Sequence, residues 1–184
     1  MMNIQKKYKY KNFVFVLIND FSLIAFSNAI EPLRIANRQA QKEIYTWKLM
    51  SENGENVKCS SGFLFKVDSP ISQIDNDDFV ILCAGQNIKK NTTKKLLNWI
   101  RKESRKKIYI GSICTGTYVL AKAGLINDIP STIHWENREA LKEEFEHLNI
   151  SDAIYTIDKK WFSAAGGTAS VSYTHLTLPT IRLV

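Results

Sequence analysis

The chain has 184 residues, 45% of them hydrophobic, which suits one globular domain with a real core. Lys and Arg outnumber Asp and Glu by 25 to 18, yet no run approaches the roughly 20 apolar residues of a membrane span. Three cysteines, Cys59, Cys83 and Cys114, are odd in number and lack metal-ligand spacing, so a disulfide framework and a metal centre are not expected, and free thiols point to a cytoplasmic setting.

The basic start MMNIQKKYKYKN, residues 1–11 in the main, reads as an extension, and FVFVLI after it is too short and too β-branched for a signal sequence. Lys11–Ile18 is a continuous apolar run, hence a buried strand. Asn19–Ser22 forms a loop, and Ser22 is placed to cap a helix reaching about Arg38, with Phe26, Ala29, Ile30 and Leu33 on one face. Ile44–Met50 reads as a strand, Cys59–Val67 as a turn and a short strand, and Phe79–Cys83 as a buried strand stopped by Ala84-Gly85. Thr92 or Thr93 caps a helix carrying Leu96, Leu97 and Ile100. Ile108–Ile110 leads into a tight Gly-Ser-Ile-Cys corner and a helix over Thr115–Ala123, closed by Gly124. Thr132–Trp135 is a short strand or turn, Glu136–His147 an amphipathic helix, and Ile154–Ile157 with Trp161–Ser163 a hairpin. Buried strands alternating with helices predict an α/β domain over 12–169, with a mostly parallel sheet sandwiched by helices.

The last stretch, VSYTHLTLPTIRLV, breaks the pattern. A helix entered through Gly166-Gly167-Thr168 needs apolar residues three and four apart, but a threonine-rich string with Leu-Pro follows. VSYTHLTLPT resembles a translated sequencing-library adapter. Residues 171–184 are therefore expected to be non-native, and the domain to be truncated near Ala169.

In parallel sheets, sites lie at the carboxyl ends of strands. Asp20, Phe21, Gly85, Gln86 and Cys114 all fall there. Cys114, Thr115 and Gly116 open a helix whose free N–H groups can cradle an anion or polar ligand. His134 is the candidate base for the thiol, with Trp135 as its shield from water. Gly167 and Thr168 supply a further wall. The basic runs KKYKYK, KKNTTKK and RKESRKK read as solvated surface rather than a DNA-reading stripe. His147 sits on an exposed helix end.

Four motifs in order carry a resemblance: NDFSLIAFSNAIEPLRIAN, ICTGTYVLAKAGLI, STIHWENREAL and YTIDKKWFSAAGGTAS. Over 12–169 the chain resembles the class I glutamine amidotransferase-like (ThiJ/PfpI) superfamily. More narrowly, it resembles the N-terminal sensor domain of AraC/XylS-family transcriptional regulators of the GlxA-like type. The resemblance implies a flavodoxin-like fold with an elbow at Cys114 and no cofactor. It also implies a homodimer, and a helix-turn-helix domain downstream through which the whole protein meets DNA. Regulators of this type answer to small nitrogenous metabolites such as carnitine, glycine betaine or arginine. Enzymes of the superfamily pair the elbow cysteine with a carboxylate at the position matching Ala25, and its proteases follow the cysteine with His where Thr115 stands. Both groups are absent, so a non-catalytic ligand-sensing domain is expected. The alternative is a cysteine-dependent hydrolase or hydratase, isonitrile-hydratase-like, that uses Cys114.

Overall fold

Lys11–Leu17 is apolar on both sides because it becomes β1, an inner strand of a sheet covered on both faces. Phe13, Phe15 and Leu17 join the core on one side and Val14 and Val16 the core on the other, the two-residue period of a strand. The computed structural model describes residues 11–167. After β1 come α1 (Leu23–Ala40), β2 (Tyr45–Ser51), β3 (Val57–Lys58), β4 (Leu64–Phe65), β5 (Ser69–Pro70) and β6 (Phe79–Cys83). The second half holds α2 (Ile88–Asn91), α3 (Lys94–Glu103), β7 (Tyr109–Ile113), α4 (Thr117–Lys122), α5 (Arg138–Glu144), β8 (Tyr155–Asp158) and β9 (Trp161–Ala164).

The main sheet has the order β5-β2-β1-β6-β7-β9-β8, parallel except for the edge strand β8, while β3 and β4 form a separate hairpin. This is the mostly parallel, helix-covered α/β architecture expected. One face is closed by α1, which buries Ala25, Phe26, Ala29 and Leu33 against Phe13, Phe15 and Ile81. The other is closed by Leu96 and Ile100 of α3, Val119 and Leu120 of α4 and Leu141 of α5, over Val14, Val80, Leu82 and Ile110. Ser22 caps α1, accepting from Ala25 N–H at 3.3 Å, and Thr93 caps α3, accepting from Leu96 N–H at 3.1 Å.

Several local expectations change. Gly111 and Ser112 belong to β7 rather than to a corner, because Gly111 pairs with Phe162 of β9 and that aromatic ring fills the space where a side chain would stand. The expected helix over Glu136–His147 is a 3-10 turn, Trp135–Asn137, followed by α5. It stops because Phe145 leaves helical geometry at φ −134°, ψ 67°. Thr132–Trp135 forms no strand; Ser131 makes a single bridge to Ile150. The short β5 and α2 were not signalled by any periodicity.

Candidate functional site

From β1 the chain passes to β2 on one side and then crosses to β6 on the other, so the carboxyl ends of β1 and β6 open a crevice. Three residues in the left-handed region shape its floor and walls: Asp20 (φ 62°), Asn87 (φ 53°) and Cys114 (φ 59°). Asp20 C=O accepts from Gln86 N–H at 2.9 Å, and Ser22 N–H donates to Ala84 C=O at 3.1 Å. Between them sits Gly85. A β-carbon there would lie 2.7 Å from Ser22 N and 2.9 Å from Phe21 C, and closer still to Asp20 O, so glycine is what lets the two loops touch. The amides of Asn87 and Asn91 donate to the Asp20 carboxylate at 2.9 and 3.2 Å.

Cys114 joins β7 to α4. Its N–H donates to Ala164 C=O at 3.0 Å, and its C=O accepts from His134 N–H at 3.1 Å, which ties the end of β9 and the segment before α5 to the corner. Both bonds hold a left-handed conformation that costs a non-glycine residue about 1 kcal/mol or more. Gly116 follows because a β-carbon there would come 2.5 Å from Leu82 O. Behind the corner runs a chain of hydroxyls. Ser112 Oγ and Thr117 Oγ1 are 2.8 Å apart, and Thr117 donates to Thr132 C=O at 2.6 Å. Thr132 N–H donates to Ser163 Oγ at 2.8 Å, and Ser163 shares a 2.6 Å bond with Thr156.

The Cys114 side chain is 6% exposed. Burial pushes its thiol up to about 11, and the Glu136 carboxylate adds to the push; hydrogen bonds to the Thr115 N–H and the Ser22 side chain act the other way. At neutral pH the sulfur is therefore a protonated thiol. Ala25, expected from the resemblance to stand at the enzymes' acid position, is fully buried in the core beside Phe26. The His134 imidazole has Nδ1 3.7 Å from the Glu136 carboxylate, an ion pair when protonated. Gly166 backs the imidazole: a β-carbon there would stand 3.3 Å from His134 Cδ2.

These groups line a cleft of about 620 Å³. The sequence-predicted residues Gly85, Gln86, Cys114, Thr115 and His134 meet in it. Asp20 supports it from below through Asn87 and Asn91. Phe21 does not present its ring: it is fully buried, edge-on to Phe26 and Phe65 at 5.7 and 5.2 Å, and only its backbone bridges to Cys59 and Gly85. Trp135 is 67% exposed, with its ring tilted 33° to His134 at 5.8 Å, so it stands on the surface beside the imidazole and does not bury it. Gly116 is spent on packing against β6. Gly167 packs on Ile24 and accepts from the Asn28 amide at 2.6 Å. Thr168 lies outside the described residues, as do residues 1–10 and the tail 171–184.

Residues missed by sequence reasoning are Ser60, Asn87, Lys89, Lys90, Glu136 and Asn137, with Ser22 as a partner of the thiol as well as a cap. The available signals were position alone: Asn87–Lys90 follow directly behind a buried strand, and Glu136 lies two residues after His134. A smaller cavity of about 230 Å³ lies between the ends of β1 and β2 and the start of α3. Its Glu52 carboxylate is already engaged by the Thr93 hydroxyl at 2.5 Å.

Thr115 tests how firmly the cleft is built. It is 3% exposed, and its Oγ1 donates to Gly85 C=O at 2.6 Å. Thr115→Val should cost about 1–2 kcal/mol in urea unfolding and raise amide exchange over 85–91. Unchanged exchange there would mean that the bond does not hold the loop.

A parallel sheet covered on both faces, with a left-handed cysteine at the carboxyl end of the strand next to its switch point, defines a class of cysteine-cornered α/β domains. The DJ-1/PfpI family model matches residues 11–178, and the chain belongs to that family. It is 34% identical over 155 residues to the HTH-type transcriptional regulator GbdR of Pseudomonas aeruginosa, covering 84% of this chain and 42% of that protein. It is 35% identical over 162 residues to the HTH-type transcriptional regulator GlxA of Rhizobium meliloti, covering 88% of this chain and 50% of that protein. The chain thus spans about half the length, or less, of these relatives. Among solved structures, an AraC family transcriptional regulator from Pseudomonas putida superposes with a TM-score of 0.76 at 23% identity, over 89% of this chain and 88% of that one. Among the described residues no helix is long and apolar enough to cross a membrane.

Proposed function

We propose that this domain is the ligand-sensing part of a transcriptional regulator. In this reading a small nitrogenous metabolite occupies the Cys114 cleft and biases a DNA-binding helix-turn-helix domain encoded downstream. The observation that carries the reading is the kinship at 34–35% identity with the HTH-type regulators over one portion of their length. The cleft chemistry agrees. Glu136 offers a carboxylate to a positively charged nitrogen, and Lys90 offers an ammonium group to a ligand carboxylate, while Lys89 is paired with Glu144 at 2.6 Å. A ligand acts by binding one of two conformations better than the other. Cys114 serves as a polar wall of the cleft and not as a nucleophile, because its thiol is protonated and Ala25 supplies no acid. Two copies would give the homodimer expected from the sequence.

Two measurements test this. A long sequencing read through the codon for Ala169 should continue in frame into a helix-turn-helix region; a stop shortly after one closing helix sinks the regulator reading. Glycine betaine, carnitine and arginine at millimolar concentration form the ligand panel for thermal shift. At least one should raise the melting temperature, and Glu136→Gln should weaken that ligand at least about tenfold, the loss of the negative charge facing its cationic nitrogen. A stabilising ligand indifferent to Glu136→Gln would place the site elsewhere.

A further inference from the structure

The run Arg101-Lys102-Glu103-Ser104-Arg105-Lys106-Lys107 stands out in sequence, and the cleft does not use it. In the fold it ends α3 and leads into β7, at the amino-terminal end of the parallel strands and thus at the pole opposite the cleft. The β8–β9 turn reaches the same place. Lys160 donates from Nζ to Ser104 C=O at 2.7 Å, and Ile110 N–H donates to Lys160 C=O at 2.8 Å. Lys159 precedes it in the left-handed region, at φ 53°.

Some of these charges are structural. Lys106 is paired at 2.6 Å with the buried Glu103, and Arg101 donates to the carbonyls of Ala123 and Lys122 at the end of α4. Lys107 lies 3.5 Å from Asp77. Lys102, Arg105 and Lys159 are exposed, and no acidic side chain pairs with them among the described residues. Besides Glu103 and Asp77, the acids at this end are Asp158 at the start of the turn and Asp75 and Asp78 just before β6, five against the seven basic side chains of Arg101, Lys102, Arg105, Lys106, Lys107, Lys159 and Lys160. The pole is therefore a positive surface whose fixed charges hold its geometry while its exposed ones face solvent.

We infer that this pole is a contact surface for the phosphate backbone of duplex DNA. Its exposed ammonium and guanidinium groups would neutralise phosphates, contacts that position a protein without specifying sequence. The inference rests on the regulator reading only for the source of the DNA. In the whole protein, a helix-turn-helix domain on its operator would bring flanking duplex near the sensor. The cleft, at the other end of the sheet, stays open to its ligand.

The test measures binding of this chain to a fluorescein-labelled 30-base-pair duplex of random sequence, by anisotropy, across a salt series. Lys102→Gln/Arg105→Gln/Lys159→Gln is compared with Lys58→Gln/Lys66→Gln/Lys94→Gln, which removes the same charge from exposed positions elsewhere. Each phosphate contact contributes about 0.9 to the slope of log K against log salt, so the first variant should flatten the slope by about 2–3 and the control by less than about 1. Circular dichroism melts confirm that both variants fold. Equal flattening by the two variants overturns the inference, since net charge alone would then explain binding. So does tighter, patch-dependent capture by vesicles of 30% phosphatidylserine or by a hairpin RNA. Failure here leaves ligand stabilisation at the Glu136 cleft untouched, and failure there leaves this slope untouched, so the two readings fall separately.

Discussion

Gly85→Ala should be the most damaging single-methyl change in the cleft, lowering stability by about 3 kcal/mol or more and the melting temperature by roughly 10 °C. The added carbon meets backbone rather than a yielding side chain: Ser22 N at 2.7 Å, Phe21 C at 2.9 Å and Asp20 O nearer still. Neither strand end can retreat, because Gln86 N–H and Ser22 N–H bond across the same gap. Gly124→Ala is the matched comparison. Gly124 has φ +72° but nothing within 4 Å of a β-carbon, so that change should cost only about 1 kcal/mol of backbone strain. Differential scanning calorimetry of both variants decides the matter. Equal losses would mean that the loops do not approach as described.

The second large effect is alkaline. Cys114 titrates at about 11 in the fold, and burial raises its neighbour Cys83 as well. Unfolded thiols titrate near 8.5. Above that pH the unfolded chain sheds protons that the folded chain keeps. The stabilisation is therefore whole below about pH 8.5 and is lost as pH rises through 11, at a cost of about 3 kcal/mol from Cys114 alone. Tyr118, raised to about 12 by burial and by its bond to Glu144, adds its own loss at higher pH. Urea unfolding at pH 8 and pH 10.5 should show the decline, and Cys114→Ala should reduce it. The same protonation leaves on the order of one thiolate in 3,000 at pH 7.5, so iodoacetamide should label native Cys114 very slowly. Fast labelling would revive the hydrolase reading. A pH decline identical in Cys114→Ala would show the sulfur to be hydrated.

The fold was legible where the chemistry is local. Phe79–Cys83 is unbroken apolar residues and forms a strand with those limits. Ser22 and Thr93 cap the helices they precede, since a hydroxyl ahead of an apolar face has one common use. Gly111-Ser112 misled because their small size serves the neighbouring strand: the Phe162 ring needs the space, and no local pattern encodes a neighbour. The cleft was half legible. The cysteine corner and the Gly85 loop follow from strand ends. Lys89, Lys90 and Asn137 have no periodicity to mark them and reach the cleft only through the placement of α2 and of the 3-10 turn before α5. Phe21 and Trp135 went the other way: an aromatic residue beside a site says nothing of whether its ring faces core, cleft or solvent.

The hydroxyl chain behind Cys114 bears on how the cleft answers to salt. Ser112, Thr117, Thr132 and Ser163 are buried, and every bond among them joins neutral groups. Mobile ions weaken charge pairs in water but have no purchase on such bonds. The wall that carries His134 should therefore keep its position as a cell's ionic strength swings with osmotic load. Salt would then act on the cleft through the exposed Glu136 carboxylate, whose charge it screens, and not by moving the wall.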